Sequence, residues 1–359
     1  MRTQHPFPIY YSLFLIFFVT TTILISPSLG ALGKCNPSDY KALRSIKKSF
    51  YKPYILDSWA PNTDCCNNNW IGVRCDDKTN RVNQLFMFIG ELSGQIPSSV
   101  GDLPYLESLV FRHYKNITGS IPQSITKLKH LGMLDLSDMS LSGPIPHSLN
   151  QLTALAFLDL SGNQLSGSIP PNLSNLKHIA TFHLARNKLT GPIPHFPNQL
   201  TDLTFLDLSD NQLSGYIPPS LSNLKHIATI YLAGNKLTGS IPESFGKLPA
   251  GVSLLLSRNK LTVGDASMLF NPNHSLTTRI DLSRNRFSFD LTKVKFPKNL
   301  NWLDISHNKI YGGIPEEIKG LENLQTLKMG YNRLCGKIPT GGIMKRFKRT
   351  SFYHNKCLH

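Results

Sequence analysis

The stretch FLDLSDNQLSGYIPPSLSNLKHIAT at residues 205–229 repeats FLDLSGNQLSGSIPPNLSNLKHIAT at 157–181 with only three changes. A near-copy displaced by 48 residues points to a fold built from stacked units. The true period is half of that. Asn163, Asn187, Asn211, Asn235 and Asn259 stand 24 residues apart, and Asn285, Asn308 and Asn332 follow at steps of 26, 23 and 24. Nine Ile-Pro pairs, from Ile96-Pro97 to Ile338-Pro339, keep the same frame.

The pattern around each Asn is L-x-L-x-x-N-x-L-x-G-x-I-P, which is that of a leucine-rich repeat. The alternating leucines predict a short strand with one buried face, so Leu206 and Leu208 point in while Asp207 points out. Asn turns inward, where its amide serves backbone groups of the bend. Gly permits the following turn, and Pro fixes an extended path back. No coil covers its own apolar edge, so coils must stack and only the ends need caps. The expected fold is an α/β solenoid. It is a right-handed superhelix of about 10–11 coils, with a parallel sheet on the concave face and a second extended face beside it.

Between 155–194 and 203–242, 32 of 40 residues agree. The eight differences include Gly162/Asp210, Ser168/Tyr216, His183/Tyr231 and Arg186/Gly234, and only Phe182/Ile230 falls in a core slot. Exposed positions drift while the frame is held, as in a recent duplication of two repeats.

Residues 9–25 carry no charge, follow Arg2 and precede the small-residue run SPSLGALG. That order predicts a secretory signal over 1–30, cleaved after Gly30 or Gly33, and hence an extracellular protein. A cap with an amphipathic helix is expected over 31–79, with Ser38 or Asp39 starting the helix. Repeats are expected over 80–340 and a C-terminal cap over 341–359. Removing Arg2 leaves 37 Lys+Arg against 22 Asp+Glu, a balance of +15. Such a charge suits an extracellular polyanion such as pectin better than nucleic acid.

Four cysteines precede the repeats and two lie at their far end. Ten strand steps separate the two ends by roughly 50 Å, whereas a disulfide needs α-carbons within about 7 Å. Pairing is therefore local, which gives Cys335–Cys357. At the other end, joining adjacent Cys65 and Cys66 is strained, and Cys35–Cys65 with Cys66–Cys75 is preferred. No C-x-x-C pair suggests zinc, no cofactor motif is present, and neither GxSxG nor HExxH points to an enzyme. Asn116, Asn172 and Asn273 begin N-x-S/T sequons.

The segments TDCCNNNWIGVRCD, VGDASMLF, LDISHNKIYGGIP and YNRLCGKIPTGG make the chain resemble the plant polygalacturonase-inhibiting proteins. The likeness runs from Cys35 to Leu358. It implies a secreted, non-enzymatic cell-wall protein, taken to be a monomer, whose concave face binds fungal or insect polygalacturonases and slows pectin digestion in plant defence. Members usually end in a further cysteine pair, absent here, and have about ten repeats. A different class of function, an extracellular module binding a peptide or a receptor ectodomain, would use the same face. Ice binding would need a flat exposed array, whereas the Asn column points inward.

Projecting the frame gives three outward columns. The centre of L-x-L supplies His183, Asp207, Tyr231, Asp281, Asp304 and Lys328. The position before Asn supplies Arg186, Asp210, Arg258, Arg284 and His307. The start of the strand supplies Phe205, Arg279 and Trp302. Aspartates in the LDLS motif also serve to brace neighbouring strands. Outward aromatic and basic residues are harder to explain as scaffold, and they make the candidate contact face.

Overall fold

The computed structural model describes residues 35–51, 53–88, 90–195, 200–262, 266–270 and 277–359. The expected signal segment and Asn273 lie outside the described residues.

Twelve strands form one sheet, and eleven of them run parallel in chain order. The first, Val73–Cys75, pairs antiparallel with Val82–Met87 and closes the sheet at the N-terminal end. Further on, the register is that of the repeat, with Phe205 opposite Thr229 and Asp207 opposite Tyr231. A second parallel sheet joins Ser142–Pro144, Gln164–Ser168, Lys188–Pro192 and Gln212–Ser214. On the far side, most of the Ile-Pro pairs lead into a 3-10 turn such as Pro219–Asn223, because proline suits the first turn of a helix. The leucines of the strands and turns fill one continuous core. At about 25 cal/mol per Å² of apolar surface, that core is the main source of stability.

The inward Asn forms a ladder. Asn211 donates Nδ2 to the Leu184 carbonyl at 3.0 Å and accepts from Leu189 N–H at 3.0 Å. The same bonds recur from Asn163 to Asn332. They also recur at Asn355, which accepts from Leu334 N–H at 3.0 Å and donates to the Met329 carbonyl. The stretch 349–358, which reads from sequence as a cap, is therefore one more coil. Phe352 is buried in its core slot, and the Ser351 and Tyr353 carbonyls accept from Met329 and Tyr331.

The helix Pro37–Ser49 covers the first coil with Ala42, Leu43 and Ile46. Asn36 caps it, its Oδ1 accepting from Ser38 N–H, in place of Ser38 or Asp39. Asp39 is instead fully buried, held by Arg81 at 2.8 and 2.9 Å and by Val82 N–H, so it clips the helix to the sheet. Trp59 and Trp70 stack beneath the helix at 5.5 Å. Disulfides join Cys35–Cys65, Cys66–Cys75 and Cys335–Cys357, with α-carbon separations of 5.3, 5.4 and 4.5 Å.

Candidate functional site

The sheet register aligns the three outward columns side by side on one wall. One runs through Phe205, Thr229, Ser253, Arg279 and Trp302, another through His183, Asp207, Tyr231, Leu255, Asp281, Asp304 and Lys328. The third follows each strand. Its members Asp138, Arg186, Asp210, Arg258, Arg284, His307 and Tyr331 all have φ between 50° and 59°, the left-handed region. In that conformation each N–H reaches the next coil, as Arg258 N–H does to the Ser283 carbonyl at 2.9 Å. Left-handed backbone costs a residue with a side chain roughly 1–2 kcal/mol. The column therefore holds large polar side chains where glycine would be easiest.

Glycine does occupy the column twice, and the reason is lateral. A methyl group on Gly162 would lie 2.2 Å from the Asp138 carboxylate, and one on Gly234 at 2.2 Å from that of Asp210. Each Asp lies over the glycine that follows it.

The aspartates of the L-x-L column are not outward in the expected sense. Asp207 and Asp304 are buried, as are Asp135 and Asp159, while Asp281 is half-buried. Their carboxylates turn back onto the serine two residues on. Asp207 accepts from Ser209 N–H at 2.9 Å, Asp281 from Ser283 and Asp304 from Ser306, both at 3.0 Å. The serine of LDLS thus fixes the Asp rotamer, which leaves the second carboxylate oxygen for neighbours across the sheet.

In the coils up to Tyr231 those neighbours are charged. His183 sits between Asp159, 3.0 Å from Nδ1, and Asp207, 3.3 Å from Nε2. Burial opposes its charge, but the two carboxylates win and lift its pKa to about 10. Burial would also raise Asp159, yet the His183 charge holds it below the usual carboxylate value. Asp135, pushed up by burial and then by Asp159, titrates at about 6. Arg112 stands 4.0 Å from it. Along the left-handed column Arg186 reaches across Gly162 to Asp138 at 3.3 Å, and His113 and Lys115 approach the same carboxylate. Phe205 packs edge-on against both His183 and Tyr231, at 5.7 and 6.0 Å.

The later coils are different. Lys328 pairs with Asp304 at 3.5 Å, and burial, then Asp304, raises Asp281. Among the described residues no carboxylate lies within 4.0 Å of Arg258, Arg279 or Arg284. Arg279 stacks on Trp302, 4.3 Å from the ring centroid. The left-handed column ends in a pile of rings, His307 on Tyr331 at 4.1 Å and Tyr331 on His354 at 4.2 Å. Burial and then the Arg284 charge depress His307.

All fourteen candidate contact residues thus share the wall, divided between a paired half and an open half. Arg112 and His354 were missed by the sequence reading. His354 precedes Asn355 as the others precede their Asn, and that frame was the available signal. Of the sequons, Asn116 is exposed, whereas Asn172 is half-buried on the convex side and donates Nδ2 to the His147 carbonyl at 3.0 Å.

A wall of this kind, offered by a disulfide-stapled solenoid, defines a protein of the leucine-rich repeat class. Models of the leucine-rich repeat N-terminal domain match residues 36–76, and leucine-rich repeat models match 154–176, 202–224, 226–248 and 275–334. A polygalacturonase inhibitor of Vitis vinifera is 50% identical over 358 residues, 100% of this chain and 97% of that protein. The chain belongs to the polygalacturonase-inhibitor family. Among solved structures, a plant ice-binding protein is 42% identical, with a TM-score of 0.72 over 91% of this chain and 96% of its own. The PEPR1–AtPEP1 complex aligns at 30% identity and a TM-score of 0.74, over 85% of this chain but 46% of that one.

Proposed function

We propose that this protein inhibits pathogen polygalacturonases by docking the open half of its concave wall against them. It is a non-enzymatic member of its family. The observation that carries the docking mode is the group of three guanidiniums, Arg258 on one coil and Arg279 and Arg284 on the next, without counter-ions among the described residues. Guanidiniums bind carboxylates bidentately, and with the neighbouring aromatic side chains they form the composition of an interface hot spot. Three disulfides and no free cysteine among the described residues suit an extracellular setting, and the apoplast is where such targets would be met. Among the described residues no helix is long and apolar enough to cross a membrane. Fungal and insect enzymes are both candidate targets.

Titrating the purified chain against a panel of polygalacturonases should lower their activity. The double variant Arg258→Glu/Arg284→Glu should weaken inhibition at least about tenfold, with melting unchanged. Full enzyme activity across the panel in the presence of folded protein would sink the proposal. The alternative, peptide recognition, gains support from the fold shared with the PEPR1–AtPEP1 complex. Recovery of a receptor kinase rather than a glycosidase on immobilised protein would favour it.

A further inference from the structure

Arg279, Trp302 and Lys328 form a cluster on three consecutive coils. Arg279 is opposite Trp302 and Asp304 is opposite Lys328 in the sheet register. The indole carries Arg279 at 4.3 Å and Lys328 at 5.5 Å from its centroid. Within this sandwich the Nε–H of Arg279 and the Nε1–H of Trp302 are both shielded from water, and neither has an acceptor among the described residues. Leaving a buried donor unsatisfied costs about 1–3 kcal/mol. Two such donors in contacting residues, beside guanidiniums without counter-ions, serve no purpose in packing. They suit an acceptor that comes from outside.

We propose that Arg279 and Trp302 form a carboxylate-binding subsite whose occupant is an acidic side chain of a protein partner. An arriving carboxylate draws Arg279 off the indole. The guanidinium then grips it with two N–H groups, and the uncovered indole N–H becomes available as a further donor. Arg258 and Arg284 add long-range attraction. Aspartate or glutamate fits better than the uronate of a polysaccharide, because a sugar ring needs a bare aromatic face to stack on. Once Arg279 has moved, Lys328 still lies over Trp302 at 5.5 Å, and Tyr331 lies between His307 and His354. The inference rests on the inhibitor reading only for the identity of the partner.

The chain has three tryptophans, and Trp59 and Trp70 are buried in the N-terminal cap. Trp302 is therefore the only tryptophan on the wall, and its emission reports the departure of Arg279. Titrating the full chain at low salt with a tetraglutamate peptide should give a saturable change in tryptophan emission. Trp302→Phe should abolish the change. Arg279→Gln should weaken the binding at least about tenfold, and so should Arg279→Lys, which keeps the charge but loses the planar fork. Melting curves confirm that each variant is folded. No response to the peptide, an equal response in folded Arg279→Gln and Arg279→Lys, or a response to a triuronate but not to tetraglutamate would each overturn the subsite.

Inhibition assays separate the two proposals. If wild type inhibits a polygalacturonase and both Arg279 variants inhibit equally well, the subsite falls and the inhibitor reading stands. If the peptide response behaves as described while no polygalacturonase is inhibited, the subsite stands and the inhibitor reading falls.

Discussion

The two halves of the concave wall use the same repeat frame to different ends. From Arg112 to Tyr231 the charges close on one another. Asp159, His183 and Asp207 form one run, and Asp138 gathers His113, Lys115 and Arg186. In the later coils Arg258, Arg279 and Arg284 have no carboxylate within reach among the described residues, Arg279 lies on an indole, and the surface is finished by stacked rings. Charges that are mutually satisfied in the free protein gain little from a partner, because docking must desolvate them again. Unpaired cations gain most. On the proposed docking mode, a regular scaffold confines recognition to part of an otherwise uniform face, and variation in the first half should bear chiefly on stability.

That contrast is open to direct attack. The largest effect is expected for His183→Leu, which strands two buried carboxylates without their cation. Breaking such a network costs about 3–5 kcal/mol. Urea unfolding measures it, and inhibition by the folded fraction should persist. A loss in inhibition as large as that of Arg258→Glu/Arg284→Glu would erase the division between the halves.

Next comes Gly162→Ala. It places a side chain at φ 67° and drives a methyl group against the Asp138 carboxylate. The left-handed penalty alone is about 1–2 kcal/mol. The cost should shrink when Asp138→Ser is added, a coupling that a double-mutant cycle reads directly.

A smaller effect is expected from pH. The folded pKa of Asp135, about 6, lies above its ordinary value of 3.8. Its contribution to stability is complete below 3.8 and is lost as pH rises through 6. His183 contributes fully below 6.5 and loses its contribution as pH rises through about 10. Asp135→Asn should therefore flatten the fall in denaturation midpoint between pH 4 and 7, and His183→Gln the fall toward pH 10. Neither should alter the profile of the later coils.

The smallest change belongs to Tyr331→Asn. Asn tolerates the left-handed conformation better than Tyr, so the gain and the lost ring contacts nearly cancel, within about 1 kcal/mol. Inhibition should nonetheless weaken. A variant that melts lower and inhibits normally would assign the ring pile to scaffold.

The periodicity of Asn and Ile-Pro made the solenoid, its strand face and its outward columns legible from sequence. Three features were not. Asn355 escaped because its coil lacks the L-x-L pair, carrying an exposed Thr350 and Phe352 where leucines are usual, although Phe352 keeps the buried slot. The inward turn of Asp207 and Asp304 was hidden because alternation gives only the face, whereas a rotamer depends on the serine two residues on. The division of the wall was invisible for a related reason. Whether Arg186 or Arg284 finds a carboxylate depends on what stands one or two coils away, and on glycine leaving room to reach it. A repeat places side chains in columns, but their pairing is decided across coils.

The asparagine ladder has a direction. Besides the Leu208 and Ser209 carbonyls of its own coil, Asn211 bonds to the preceding coil, through Leu184 and Leu189, and every later rung does likewise. Each rung therefore finds its inter-coil partners in the coil before it. For the same reason a pair of coils can be copied into the middle of the gene without rewiring what lies on either side. Each inserted Asn finds its carbonyls one turn behind, and the first original coil downstream finds equivalent ones in the copy. The tandem near-identity of 155–194 and 203–242 is what such tolerance would leave behind.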